Sequence, residues 1–279
     1  MEFSDHRSVC RAGRGLSTPR LVGILALVLA VVISAPPGAL GEDTNPIDSV
    51  FEVFTYTKAG KGVARGTAFF IDPSGLALTN SHVVYRAQHD PGRYVLLAVV
   101  GQEFYGVEVV CASQLETDPT ESAKGPVERD IAQIRLVPPN AEFAQWGILP
   151  GGGSRVLARA HVGSLPAFPV LALADGQAQG QIRVVGYVRS AQPTEKTVVT
   201  GTVTRSAVAR DGTPVFEIES EDRPERGSSG SPVLDNQNRV VGMYTWNDLE
   251  KTTSGIAISS VALARACPSS VGSRSRAGL

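Results

Sequence analysis

The segment Gly227-Ser228-Ser229-Gly230-Ser231-Pro232 constrains this chain more than any other. It holds a serine in a tight turn whose glycines allow backbone angles closed to other residues. Two earlier segments match it in character. Leu78-Thr79-Asn80-Ser81-His82-Val83-Val84 puts a histidine at the end of an apolar run. Arg129-Asp130-Ile131-Ala132-Gln133-Ile134-Arg135-Leu136 opens an alternating strand with an aspartate. A hydroxyl is a weak nucleophile at neutral pH. It needs a base to take its proton, and the base needs a carboxylate to fix its tautomer and stabilise its cation. His82, Asp130 and Ser229 are those three residue types. Ser229 is preferred over Ser228 and Ser231 because it alone has glycine directly after it and glycine two residues before it. His89 and His161 lie among turn and loop residues and read as structural or solvent-facing.

Around these residues the sequence is a succession of short apolar runs separated by Gly, Pro, Asn and Asp, the pattern of many short strands. The first half offers Val50–Tyr56, Ala64–Ile71, Leu76–Thr79, Tyr94–Val100, Glu103–Cys111 and Ile131–Leu136, with Asp72-Pro73-Ser74-Gly75 as a turn. Six such strands suit a closed antiparallel barrel. The second half offers Val170–Ala174, Gln181–Tyr187, Val198–Ser206, Thr213–Glu219, Pro232–Leu234, Val240–Trp246 and Gly255–Ser259, enough for another. The expected fold is all-β: two antiparallel six-stranded barrels. A short C-terminal helix over Ser260–Ala266 is capped by Ser259 or Ser260. The expected division is a leader over 1–41, a first barrel over 42–150 and a crossover linker over 151–169. A second barrel over 170–266 and a disordered tail over 267–279 complete it.

The leader carries Arg7, Arg11, Arg14 and Arg20 ahead of the apolar run Leu21–Ile33, and Pro36-Pro37 follows. That run is shorter than the roughly 20 residues that cross a bilayer. Ala39-Leu40-Gly41 has small residues where a signal peptidase reads, so cleavage after Gly41 and export are expected. An uncleaved anchor is the alternative. Of the cysteines, Cys10 belongs to the leader, and whether Cys111 and Cys267 pair is left open. No CxxC or Cys/His cluster suggests a metal, and no cofactor is expected. The net charge of −1 implies no surface for nucleic acid.

The chain order His, Asp, Ser separates this sequence from subtilisin-like enzymes and from α/β-hydrolases, whose orders differ. The chain resembles a chymotrypsin-type serine protease, nearest to the protease domain of the HtrA family. His82 matches the family's T-N-x-H-V motif, Asp130 its D-I-A-x-[IL]-[KR] motif, and Ser229 the serine of G-N-S-G-G-P. Val240-Val241-Gly242-Met243 and Ser254-Gly255-Ile256-Ala257-Ile258 match the strands that follow. The resemblance runs from about residue 48 to 260 and is poor over 113–128 and 150–169. It implies an exported endopeptidase acting on peptides or unfolded proteins through an acyl-enzyme, with the active site in the cleft between the two barrels and the N–H groups of Gly227 and Ser229 as the oxyanion hole. An esterase with the same triad and a catalytically silent peptide-binding module are the alternatives. Thr245-Trp246-Asn247 resembles the edge strand on which such enzymes lay substrate, and Thr245 matches a serine that supports the acid. Tyr244, Thr245, Trp246, Asn247 and Gly255 are the expected substrate-binding residues, with Asp222 to Arg226 completing the pocket wall. Gly255 is expected to leave that pocket open, for an apolar or small side chain. Three departures stand out. Ser228 replaces the residue that in trypsins is an aspartate, Ser231 replaces a glycine, and no peptide-binding PDZ domain is expected after residue 260.

Overall fold

The computed structural model describes residues 45–115, 129–144, 158–187, 196–222, 227–247 and 253–266. The leader, the expected tail and the side chains of Trp246 and Asn247 lie outside them. After a 3₁₀ turn over Pro46–Ser49 come β1 (Val50–Thr57), β2 (Gly62–Asp72), β3 (Leu76–Thr79), α1 (Ser81–His89), β4 (Tyr94–Val100), β5 (Glu103–Ala112) and β6 (Ala132–Val137). The strands pair in the order β4-β1-β2-β3-β6-β5, and β4 pairs with β5 to close the ring. Next are α2 (Ala141–Ala144) and β7 (Arg159–Ala160), a short strand parallel to the start of β5. The second half holds β8 (Gln181–Tyr187), β9 (Lys196–Val208), β10 (Pro214–Ser220), β11 (Pro232–Leu234), β12 (Val240–Asn247), β13 (Ser254–Ser259) and α3 (Ser260–Leu263). Its strands close a second barrel in the order β10-β13-β12-β11-β8-β9. The fold is therefore two closed six-stranded antiparallel barrels with a short C-terminal helix. Closure leaves few open edges.

Strand alternation decides where the side chains go. Phe51 and Val53 of β1 face the first barrel's interior with Phe70, Ile134 and Leu136. The opposite face carries Phe54 and Tyr56, which pack with Leu97, Phe104 and Phe143. Because both faces are covered, β1 is buried almost throughout, Glu52 included at 2% exposure. Arg65, next to it on β2, pairs with Glu52 at 2.5 Å. The second barrel is filled by Ile182, Val184, Phe216, Ile218, Val233, Tyr244 and Ala257. A further apolar cluster joins the two barrels. Val50, Phe69, Leu78 and Ile131 of the first meet Leu171, Val185, Leu234, Val240, Met243 and Ile258 of the second.

Three expectations about elements need correction. Val170–Ala174 is not a barrel strand. It makes one isolated bridge, Leu173 to Val240, and its hydrogen bonds divide between Phe70 of one barrel and Val240 of the other. It is a strap between barrels, which is why seven candidate segments yield six strands. The strand before His82 ends at Thr79 as expected, but Ser81–His89 is helical where turn and loop residues were read around His89. His89 consequently sits in the last turn of α1, with its Nδ1 2.9 Å from the Tyr85 carbonyl and its ring stacked on Tyr85. The terminal helix is shorter than expected, ending at Leu263, and Ser259 caps it by accepting from the Val261 N–H at 3.4 Å.

Candidate active site

Thr79, Asn80 and Ser81 are fully buried, and each side chain bonds a different neighbour. The Thr79 hydroxyl donates to the Thr67 carbonyl at 2.6 Å. The Asn80 amide donates to the Asp130 carbonyl at 2.7 Å and to the Thr245 hydroxyl at 2.8 Å. The Ser81 hydroxyl donates to the Ile131 carbonyl at 2.6 Å. Together they fix the start of α1, and so His82, against the turn that carries Asp130.

That turn is tight. Arg129 has φ of 57°, in the left-handed region, and the Ile131 N–H donates to its carbonyl at 2.7 Å. Asp130 is completely buried. One carboxylate oxygen accepts the His82 backbone N–H at 2.9 Å, and the other lies 2.6 Å from His82 Nδ1. A carboxylate only accepts, so Nδ1 carries a proton and Nε2 is the ring nitrogen left to act as acceptor. The His82 side chain is 15% exposed. The ring is thus oriented by a buried acid and still reachable by substrate.

Ser229 comes from the second barrel and is fastened to the first. The Thr67 N–H donates to the Ser229 carbonyl at 2.8 Å. The Thr67 hydroxyl donates to the Gly227 carbonyl at 2.9 Å and accepts the Tyr187 N–H at 3.1 Å. Gly66 lies between the two halves of the site, for a Cβ there would fall 2.5 Å from Val83 Cγ2 and 3.1 Å from the Ser229 carbonyl oxygen. Gly230 is a glycine for two reasons. Its φ is +87°, and a Cβ would lie 2.0 Å from the Thr67 carbonyl oxygen. The Ser228 carbonyl accepts the Ser231 N–H at 3.0 Å. In a trans peptide the N–H opposes the carbonyl, so the Ser229 N–H points away from Ser231.

The sequence profile of the trypsin-like peptidase domain matches residues 66–243. The chain belongs to the trypsin-like peptidase family. No curated protein matches it in sequence. Among solved structures, the active form of the Rv3671c protease from M. tuberculosis aligns with 79% of this chain and 79% of its own, at TM-score 0.51 and 19% identity. Deg5 aligns with 78% of this chain and 86% of its own, at TM-score 0.52 and 16% identity. The serine endoprotease from Yersinia pestis aligns with 78% of this chain and 61% of its own, at TM-score 0.50 and 15% identity. These identities speak to the fold alone.

Within this trypsin-like frame, the other expected residues divide. Thr245 is buried beside the dyad, but its hydroxyl does not meet the Asp130 carboxylate. It accepts from Asn80 and lies 3.5 Å from the Met243 carbonyl, while the two carboxylate oxygens of Asp130 are engaged by His82. Thr245, Trp246 and Asn247 form the end of β12, past the residues that pair with β11. Among the described residues no strand pairs with that edge. Gly255 does not leave open space, because Tyr244 fills the volume beside it. Asp222 is exposed, and residues 223–226 lie outside the described residues.

Two contributors escaped the sequence reading. Thr67 makes two of the bonds that locate the nucleophile loop, to the carbonyls of Ser229 and Gly227, yet in sequence it is one polar residue ahead of the run Ala68-Phe69-Phe70. Asn80 joins the acid's turn to β12, and only its place in the histidine motif hinted at a role. Ser231 is accommodated by Gly186, where a Cβ would fall 1.9 Å from the Ser231 hydroxyl oxygen. Burial pushes the hydroxyl of Tyr187 well above the usual phenol range, and the charge of Glu52 adds to it.

Proposed function

We propose that the chain is an exported serine endopeptidase that hydrolyses peptide bonds with His82, Asp130 and Ser229. One observation carries the reading: a fully buried Asp130 engages both the backbone and the ring of His82, leaving Nε2 as the basic nitrogen. Ser229 Oγ attacks the substrate carbonyl carbon as His82 Nε2 takes its proton. The carbonyl oxygen becomes an oxyanion, held by the N–H groups of Gly227 and Ser229. Each such donor is worth roughly a hundred- to thousand-fold in rate. Collapse breaks the C–N bond, and His82 returns the proton to the leaving amine. Water then repeats the sequence on the acyl-enzyme and frees Ser229.

The edge of β12 at Thr245–Asn247, which no strand pairs among the described residues, takes the substrate as an added strand through main-chain hydrogen bonds. This mode favours extended peptides and unfolded proteins. The HtrA-like motifs and the basic, apolar leader support a location outside the cytoplasm. Cofactors have no part in the reaction as written.

The test is turnover of a denatured protein and of matched peptide amides and esters by the purified protein. Wild type is expected to cleave the amides. Ser229→Ala is expected to lose about 10⁴-fold or more in kcat, the scale on which triad residues act as a unit. Hydrolysis confined to small esters would favour the esterase. Undiminished cleavage by Ser229→Ala would remove the serine mechanism.

A further inference from the structure

The side chain just ahead of the scissile bond has few places to go. Its carbonyl carbon sits at Ser229 Oγ, and its main chain follows the β12 edge that begins at Thr245. The residue of β12 directly behind the nucleophile turn is Tyr244. Its carbonyl accepts the Gly230 N–H at 2.9 Å, and its N–H donates to the Ser231 carbonyl at 2.8 Å. The neighbouring strand at this level is β13, where Gly255 pairs with Asn247 and Ala257 with Tyr244. A pocket for the substrate side chain would open between these strands, over the two small residues Gly255 and Ala257. They lie two apart on one face of β13, forming a trough with no side chain larger than a methyl group.

That trough is occupied by the protein itself. A Cβ on Gly255 would fall 2.4 Å from Tyr244 Cε2, 2.6 Å from its hydroxyl oxygen and 2.9 Å from Cζ. The outer end of the tyrosine ring therefore rests on the Gly255 backbone. Tyr244 is 2% exposed, Ala257 0% and Ile218, which pairs with Gly255 from β10, 1%. An open pocket would leave its walls wet when no substrate is bound, whereas these walls are dry. Interiors pack at close to crystal density, so a second large side chain does not share this volume with the ring.

We propose that Tyr244 sets the specificity of the site: its ring fills the pocket over Gly255 and Ala257, so that cleavage follows only small residues such as glycine, alanine or serine. This rests on the peptidase reading above and adds the substrate class to it. The tyrosine acts by excluding volume and takes no part in proton transfer.

The experiment measures kcat/KM on peptides that differ only at the residue before the scissile bond, running Gly, Ala, Ser, Val, Leu, Phe. Pocket discrimination runs at roughly 10–200-fold per methylene. Wild type should therefore prefer Ala to Leu or Phe by about a hundredfold or more. Tyr244→Val should gain on Leu and Phe. A second measurement needs no variant: peptidyl phosphonates ending in Ala should inactivate wild type far faster than those ending in Phe. A wild-type preference for Leu or Phe in either series would overturn the proposal and leave the peptidase intact. So would an unchanged order in a Tyr244→Val enzyme that a small fluorophosphonate still labels. If wild type neither cleaves any peptide nor takes that small label, the peptidase reading fails and takes the proposal with it.

Discussion

Thr67 shows how much of a site can hang on a residue that touches no substrate. Its N–H and hydroxyl hold two carbonyls of the nucleophile loop, and its carbonyl is held in turn by Thr79. Valine has the same shape without the hydroxyl. Thr67→Val would strand the Gly227 carbonyl and the Tyr187 N–H, each a cost of about 1–3 kcal/mol when buried. The expected outcome is a lower melting temperature together with a fall in kcat of about a hundredfold, the size of one misaligned oxyanion donor, while KM hardly moves. Steady-state kinetics beside a thermal melt checks this; a melt that drops with kcat intact would make Thr67 purely structural. At this scale the sequence was legible where a residue type implies chemistry. His82, Asp130 and Ser229 could be named because a base, an acid and a hydroxyl in motif have few other uses. Thr67 and Asn80 could not, since their roles depend on what the fold brings beside them, and Tyr244 could be named only as a pocket residue, not as the side chain that lies over Gly255. Gly255 was misjudged for the same reason: a glycine announces space, but not which neighbour fills it.

Among the elements, the β11–β12 hairpin links the nucleophile loop to the substrate edge. Its turn is held by Asp235. One carboxylate oxygen accepts the N–H groups of Gln237 and Arg239, both at 2.9 Å, and the other accepts Arg239 Nε and Nη2 at 2.9 and 2.8 Å. Burial alone would raise this carboxyl, but the bonds from Arg239 and Gln237 outweigh it and hold it below the usual 3.8. A depressed carboxyl stabilises the fold fully above its unfolded pKa and loses that contribution as pH falls through the folded value. Asp235→Asn should therefore cost of order 1 kcal/mol near neutrality, limited by solvent screening. The difference from wild type should shrink below pH 4 and vanish once both forms are neutral. Chemical denaturation at several pH values checks it, and a gap that persists under acid would contradict the ion-pair account. Most strands were readable because apolar runs alternate and end in turn residues. The exceptions have physical causes. Glu52 breaks the pattern of β1, yet it is buried because both faces of that strand are covered and Arg65 supplies a partner. The nine residues of α1 hold too little helical pattern to outweigh their β-branched valines. Val170–Ala174 has strand composition, but its hydrogen bonds are claimed by two different barrels.

Across the whole molecule, the site exists only because two barrels are pressed together. His82 and Asp130 come from one and Ser229 from the other. Val50, Phe69, Leu78 and Ile131 meet Val185, Leu234, Val240 and Met243 in the apolar cluster between them. This long-range assembly is beyond what spacing in a sequence can convey; the chain order of the three residues only narrows the choice of fold. Cys111 adds a covalent restraint whose existence the sequence left open. It is disulfide-bonded, with its sulfur 4.0 Å from the carbonyl of Ala266 beyond α3. The account's central claim is that this assembly activates one serine among several. Intact-mass measurement after reaction with a small fluorophosphonate tests it most directly. Wild type is expected to gain one adduct, mapped to Ser229, and Ser229→Ala none, with His82→Ala slowed by orders of magnitude. An unlabelled wild type, or an adduct on Ser228 or Ser231 that persists in Ser229→Ala, would contradict it.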